Sequence, residues 1–159
     1  MRILITGSRK GIGRYLSEKL LERGHTVIGC SRGESDLAHE LYDHFSCDVS
    51  DESSVVKMVR EAGKRHGGID VLINNAGIAS MNHILSTPIS SVRMLFETNI
   101  IGTTIFSREV AKLMMRRKIH GKIINFTTVA SAVSLEGEAR YASSKAAIQN
   151  FTQIAAKDF

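Results

Sequence analysis

The sequence predicts an α/β fold, a doubly wound parallel sheet with helices between its strands. Three observations carry this. Short apolar runs alternate with stretches whose apolar residues recur at helical spacing. A glycine turn joins the first run to the first helical stretch. No internal repeat, low-complexity tract or linker interrupts the 159 residues, so a single domain over 1–159 is expected. Such alternation implies parallel strands joined by right-handed crossovers. With 43% apolar and 23% charged residues, the chain is long enough and apolar enough to bury a core.

The first strand is expected over Arg2 to Thr6. The turn Gly7-Ser8-Arg9-Lys10-Gly11-Ile12-Gly13 follows, and then a helix with Ile12, Leu16 and Leu20 on one stripe, stopped at Gly24. Such a turn lets backbone approach a pyrophosphate, whose negative charge the helix N-terminus favours. The spacing is G-x-x-x-G-x-G, not the G-x-G-x-x-G fingerprint. His25 to Ser31 reads as the second strand, Leu37 to Tyr42 as a short helix, and Phe45 to Val49 as the third strand. Asp48 either meets an adenine edge or caps the next helix. That helix runs from about Glu52 to His66, with Val55, Met58, Val59 and Ala62 on one face and Gly67-Gly68 as its stop.

Ile69 to Asn74 is the fourth strand. It runs into Asn75-Ala76-Gly77, small and polar at a strand's C-terminal end, the edge where open α/β sheets bind ligands. A loop from Ile78 to Pro88 precedes one long helix, Ser90 to about Arg117. Asn99 lies near that helix's apolar stripe and is either structural or the holder of a water. Gly102 costs about 1 kcal/mol in mid-helix against alanine, which signals a close contact or a kink. Lys122 to Thr127 is the fifth strand. After a loop through Thr128 and Ser131, a helix from Tyr141 runs to the end of the chain.

Charge narrows the functional classes. The second strand ends at Ser31-Arg32, where an acid commonly holds a ribose 2′-hydroxyl. An arginine there suits a 2′-phosphate, and Arg9 and Lys10 add positive charge. NADP(H) is therefore expected over NAD(H). The alternative leaves Arg32 solvated and gives the acidic role to Glu34 or Asp36. The net charge of +5 is spread along the chain, its densest cluster (Arg116-Arg117-Lys118) sitting at a helix C-terminus, where cations complement the dipole. Nucleic acid is not an expected partner. No apolar run approaches the roughly 20 residues of a membrane helix, and the N-terminus lacks a signal-peptide pattern. Cys30 and Cys47 read as buried free thiols of a cytoplasmic protein. The six histidines lack zinc-ligand spacing and read as solvated surface residues.

Tyr141 and Lys145 are four apart, so on a helix they share a face. A nearby ammonium favours the phenolate, and such a tyrosine serves as acid or base on an alcohol or ketone oxygen.

Together these residues resemble the short-chain dehydrogenase/reductase family, with its Rossmann-type fold, over the whole chain. Thr6-Gly7-x-x-x-Gly11-Ile12-Gly13 matches its cofactor motif and Asn74-Asn75-Ala76-Gly77 its central-strand motif. Asn99, Tyr141 and Lys145 match three members of its Asn-Ser-Tyr-Lys tetrad. The serine position, thirteen residues before the tyrosine, holds Thr128, which keeps the hydroxyl and adds a methyl. Ser131 is a nearby hydroxyl at the wrong offset. The resemblance implies cofactor contacts from Gly7 to Gly13, Ser31, Arg32, Asp48, Val49, Asn75, Ala76, Gly77, Tyr141 and Lys145. It implies hydride transfer from NADPH to a carbonyl carbon while Tyr141 protonates the oxygen. Thr128 polarises that oxygen, Lys145 holds the nicotinamide ribose, and Asn99 supports a water that resupplies protons. A 3-oxoacyl thioester is the leading substrate, and sugars, steroids and small ketones fit the same pattern. The implied assembly is a homodimer or homotetramer through the long helices. Family members continue beyond the point corresponding to Phe159, so the chain is expected to be C-terminally incomplete, with the fifth strand a bare edge. A nucleotide-binding regulator and an interaction domain are the rival readings.

Overall fold

A computed structural model describes residues 1–158; Phe159, where the sequence ends the last helix, lies outside the described residues. Five parallel strands form one sheet in the order β3-β2-β1-β4-β5: β1 (Arg2–Thr6), β2 (Thr26–Ser31), β3 (Tyr42–Ser46), β4 (Val71–Asn74) and β5 (Lys122–Asn125). Helices α1 (Gly11–Glu22), α2 (Glu52–His66), α3 (Ile89–Phe96), α4 (Gly102–Arg117), α5 (Ala130–Val133) and α6 (Ala139–Asp158) connect or follow them. This is the doubly wound, Rossmann-type sheet that the alternation predicts.

The strands alternate sides, and each side has its own core. Ile3, Ile5, Val27 and Ile73 pack with Leu16, Leu20 and Leu21 of α1. Leu4, Ile28, Cys30 and Leu72 pack with Val55, Met58, Val59 and Ala62 of α2 and with Phe106, Val110 and Leu113 of α4. The centre of the sheet is thus covered on both faces, which explains why β1, β2 and β4 are mostly apolar while the edge strands β3 and β5 are not. Gly67 ends α2 in the left-handed region at φ 75°, as its sequence position foretells. Asp51, not Asp48, caps α2: its carboxylate accepts from the Ser53 amide at 3.0 Å. Beside β5 an apolar groove of about 750 Å³ runs between Met114, Ile119, Phe151 and Ala155.

Several expected bounds are corrected; β4 begins at Val71 rather than Ile69, and β5 ends at Asn125 rather than Thr127. No helix forms over Leu37–Tyr42; Tyr42 instead begins β3, which ends at Ser46 and leaves Cys47 to Val49 as loop. The register explains this, because Tyr42 pairs with Val27 and Ser46 with Ser31, so β3 is fixed by its neighbour rather than by its own polar sequence. The expected helix over 90–117 runs continuously from Ile89 to Arg117, but its turn at Glu97–Ile101 is π-helical. Finally, the last helix begins two residues before Tyr141, and the short α5 precedes it.

Candidate active site

The strand order reverses between β1 and β4, and a cleft of about 530 Å³ opens there at the strands' C-terminal ends. The glycine turn forms one wall. Gly7 takes φ +70°. Lys10, extended at φ −149°, precedes α1 without capping it by its side chain, and no acid occupies the first turn. The first amides of α1 therefore face the cleft without a side-chain acceptor, which suits a phosphate. A Cβ at Gly13 would lie 2.3 Å from the Gly7 carbonyl oxygen, so only glycine lets α1 start this close to the strand. Asn75 ties the second wall to the first: its Nδ2 donates to the carbonyls of Thr6 (2.9 Å) and Gly7 (3.2 Å). Thr6 Oγ1 in turn accepts from the amides of Asn75 and Ala76.

Most of the expected cofactor residues meet at this cleft. Gly7, Arg9, Lys10, Gly11, Ile12, Ser31, Arg32, Asp48, Val49, Asn75, Ala76 and Gly77 line it. Ser8 and Gly13 lie beneath it, both buried. Gly33, Cys47, Ile78, Met94 and Thr98 line it too and were not foreseen. Met94 and Thr98 are one turn apart on the α3–π segment, a helical pairing that had the right spacing but no chemical signature. Arg9, Lys10 and Arg32 are exposed cations there. Asp48 is turned inward instead: its Oδ1 accepts from the Ser50 amide (3.0 Å) and hydroxyl (2.8 Å). The Ser50 amide, with the nearby Arg32 charge, holds its carboxyl below the usual range despite partial burial. Of the rival acids, Asp36 bonds Arg14 at 2.5 Å and neither it nor Glu34 lines the cleft.

The four expected catalytic residues come from the loop after β5 (Thr128), α6 (Tyr141 and Lys145) and the π segment (Asn99). Lys145 is 7% exposed, and its Nζ donates to the Phe126 carbonyl at 2.8 Å. It has no carboxylate partner among the described residues, and burial pushes its pKa below the ordinary lysine value. Asn99, fully buried, donates from Nδ2 to the Ile78 carbonyl and Ser144 Oγ (both 3.0 Å) and accepts the Ile78 amide at 2.9 Å. Both of its N–H hydrogens are used; one lone pair on Oδ1 stays free. The π turn delivers it: the widened turn swings Asn99 toward the loop after β4. A Cβ at Gly77 would lie 3.2 Å from Asn99 Oδ1 and 3.6 Å from Lys145 Nζ, so both polar atoms border the space this glycine leaves. Gly102 serves the same geometry. A side chain there would meet Val49 at 2.9 to 3.0 Å, so the close contact expected from its sequence position lies against the cleft's own wall.

Tyr141 is half-buried on the Lys145 face of α6. Thr128 Oγ1 accepts from the Ala130 amide at 3.3 Å, which leaves its hydrogen free to donate. Ser131 donates to the Ala142 carbonyl at 3.3 Å, so its hydrogen is already committed. Two histidines depart from the solvated reading. His44 bonds Tyr42 and Gly33, and His66 lies 3.0 Å from the Asp43 carboxylate.

A reversing parallel sheet, an open glycine turn and a buried lysine one turn from a tyrosine define an oxidoreductase-type nucleotide fold. The chain belongs to the short chain dehydrogenase family, whose profile matches residues 1–159. The 3-oxoacyl-[acyl-carrier-protein] reductase FabG of Vibrio cholerae is 32% identical over 161 residues, covering 98% of this chain and 66% of that protein. The Escherichia coli FabG is 30% identical with the same coverage. Among solved structures, the aldohexose dehydrogenase of Thermoplasma acidophilum superposes with a TM-score of 0.93 at 30% identity, over 99% of this chain and 61% of that one. ElxO with NADP bound superposes at 0.92 with 28% identity, over 99% and 67%. The chain thus spans about two thirds of the length of the relatives it matches.

Proposed function

We propose that this protein reduces a carbonyl to an alcohol with NADP(H), and that a 3-oxoacyl thioester is its substrate. The observation that carries the reading is Lys145, a buried ammonium without a carboxylate partner among the described residues, on the Tyr141 face of α6 and bordering the Gly77 gap with Asn99. Burying a charge without an ion-pair partner is costly, and such buried ionisable groups cluster at functional sites. The glycine turn and the uncapped start of α1 fit a pyrophosphate, Lys145 fits ribose hydroxyls, and Arg9 with Arg32 fits a 2′-phosphate. When bound, the nicotinamide supplies the hydride. Tyr141 gives its phenolic proton to the substrate oxygen, and Thr128 donates a hydrogen bond to that same oxygen. Lys145 favours the phenolate that results, and the free lone pair of Asn99 holds a water beside it. FabG relatives support the thioester; the structural similarity to an aldohexose dehydrogenase makes hexoses the comparison substrate. Exposed Ile101 on the α3–α4 stretch and Ile154 on α6 support packing against a second copy. The two free thiols support a cytoplasmic setting; no described helix is long and apolar enough to cross a membrane.

The test is NADPH consumption with an acetoacetyl thioester, with an aldohexose and NADH in parallel, for the chain and for Tyr141→Phe. The proposal expects thioester-dependent turnover that Tyr141→Phe reduces about a hundredfold or more while NADPH still binds. Turnover that Tyr141→Phe leaves intact refutes the assignment of the acid.

A further inference from the structure

Two polar side chains on the edge strand β3 reach the glycine turn and the Ser31–Gly33 turn of the cleft. Tyr42 and His44 are two apart on β3 and so share a face. Tyr42 Oη lies 3.0 Å from Ser8 Oγ, inside the glycine turn, and 3.0 Å from His44 Nδ1. His44 Nε2 lies 3.0 Å from the Gly33 carbonyl and 3.2 Å from Ser31 Oγ. Ser31 Oγ also donates to that carbonyl, at 2.7 Å.

The hydrogens of this chain run one way. A carbonyl only accepts, so His44 Nε2 carries the hydrogen and, in the neutral ring, Nδ1 accepts. Tyr42 then donates to His44 and accepts from Ser8. The sheet is shaped around this: a Cβ at Gly29 would lie 2.2 Å from Tyr42 Oη and 2.4 Å from Ser8 Oγ, so the pair occupies the room that Gly29 leaves. The far end of the chain fixes the cleft's cations. Gly33 directly follows Arg32, and a Cβ at Gly33 would lie 3.1 Å from Arg9 Nη1, so the Arg9 guanidinium rests over this residue. The position of Gly33 therefore sets how Arg9 and Arg32 stand relative to each other.

We infer that Tyr42 and His44 are positioning residues for cofactor selection: they pin the Ser31–Gly33 turn so that Arg9 and Arg32 converge on a 2′-phosphate. This rests on the reading that the cleft binds a phosphorylated dinucleotide. His44 acts on the phosphate-specific end, and Tyr42 joins that end to the glycine turn.

The experiment measures dissociation constants of NADPH, NADH, adenosine 2′,5′-bisphosphate and AMP for the chain, His44→Ala, His44→Gln and Arg9→Ala/Arg32→Ala, the last with and without His44→Ala. Circular dichroism checks the fold of each. His44→Ala is expected to weaken NADPH and the bisphosphate about three- to tenfold, the worth of one hydrogen bond, and to leave NADH and AMP nearly unchanged. Glutamine carries an N–H at the Nε2 position, so His44→Gln restores NADPH binding. In the double-arginine background His44→Ala is expected to do nothing further. Equal weakening of NADPH and NADH, no weakening, or an undiminished effect without the arginines each overturns the inference and leaves the cofactor reading standing. A wild-type chain that binds neither dinucleotide overturns the cofactor reading and this inference with it. Should His44→Ala not fold, His44→Asn replaces it, since its shorter amide does not reach Gly33.

Discussion

Gly13→Ala isolates the steric logic of the glycine turn. Gly13 is buried in the first turn of α1, and its φ is not in the left-handed region, so alanine meets no backbone strain there. On propensity alone the change stabilises the helix by about 1 kcal/mol. Against this, the new methyl carbon would sit 2.3 Å from the Gly7 carbonyl oxygen and 2.5 Å from Asn75 Nδ2. Ordinary contact needs roughly 3.5 Å or more, so α1 and the turn must separate by about an ångström. The obstacle is backbone, already held by Asn75, rather than the free end of a side chain. Overpacking of this kind costs about 1–3 kcal/mol or more, and the constrained backbone places it near the top of that range. The net loss is about 2 kcal/mol, or roughly 4–8 °C in Tm for a chain of this size. Thermal melting followed by circular dichroism reads the stability, and NADPH titration reads the cleft, which is expected to weaken as well. A Tm equal to or above wild type would mean that the turn yields freely, and the argument that Gly13 sets the depth of the cleft would fall.

Lys145→Met is expected to abolish turnover while Tm stays within about 4 °C of wild type or rises, because the lost bond to Phe126 is offset by removal of a buried unpaired charge. The folded-state pKa of Lys145 lies below 10.5 through burial. The cost of the buried charge is therefore fully present at neutral pH and relieved as pH rises through that folded value, so wild type gains on the variant toward about pH 10; melting at both pH values checks it. Asp70 accepts from the Arg2 amide at 2.7 Å and the Arg2 guanidinium at 2.5 Å, and the guanidinium holds its carboxyl below 3.8. Asp70→Asn should cost about 1 kcal/mol near pH 7, discounted for partial exposure. That difference is present above 3.8 and vanishes as pH falls through the lower folded value; urea melts along a pH series measure it.

The amino-acid sequence by itself determined the class of fold, because strand and helix periodicities and their alternation are local properties. It also placed the glycine turn, the Asn75-Ala76-Gly77 loop and the Tyr141–Lys145 pair, since each depends on spacing within one element. What it left undecided depends on contacts between elements. Asn99 stood between a structural and a water-holding reading until the π turn brought it against Ile78 and Ser144, leaving one lone pair beside Lys145. Asp48 and Asp51 are three residues apart and chemically alike; only the amide geometry at Ser53 gives the cap to Asp51. Tyr42 and His44 carried no signal at all. Their strand has a polar sequence and becomes a strand by pairing with β2, and their reach to Ser8 and Gly33 crosses 34 and 11 residues of chain. Local propensity is readable residue by residue. The side chains that shape the cleft are chosen by packing between distant segments, and that is decided only when the sheet closes.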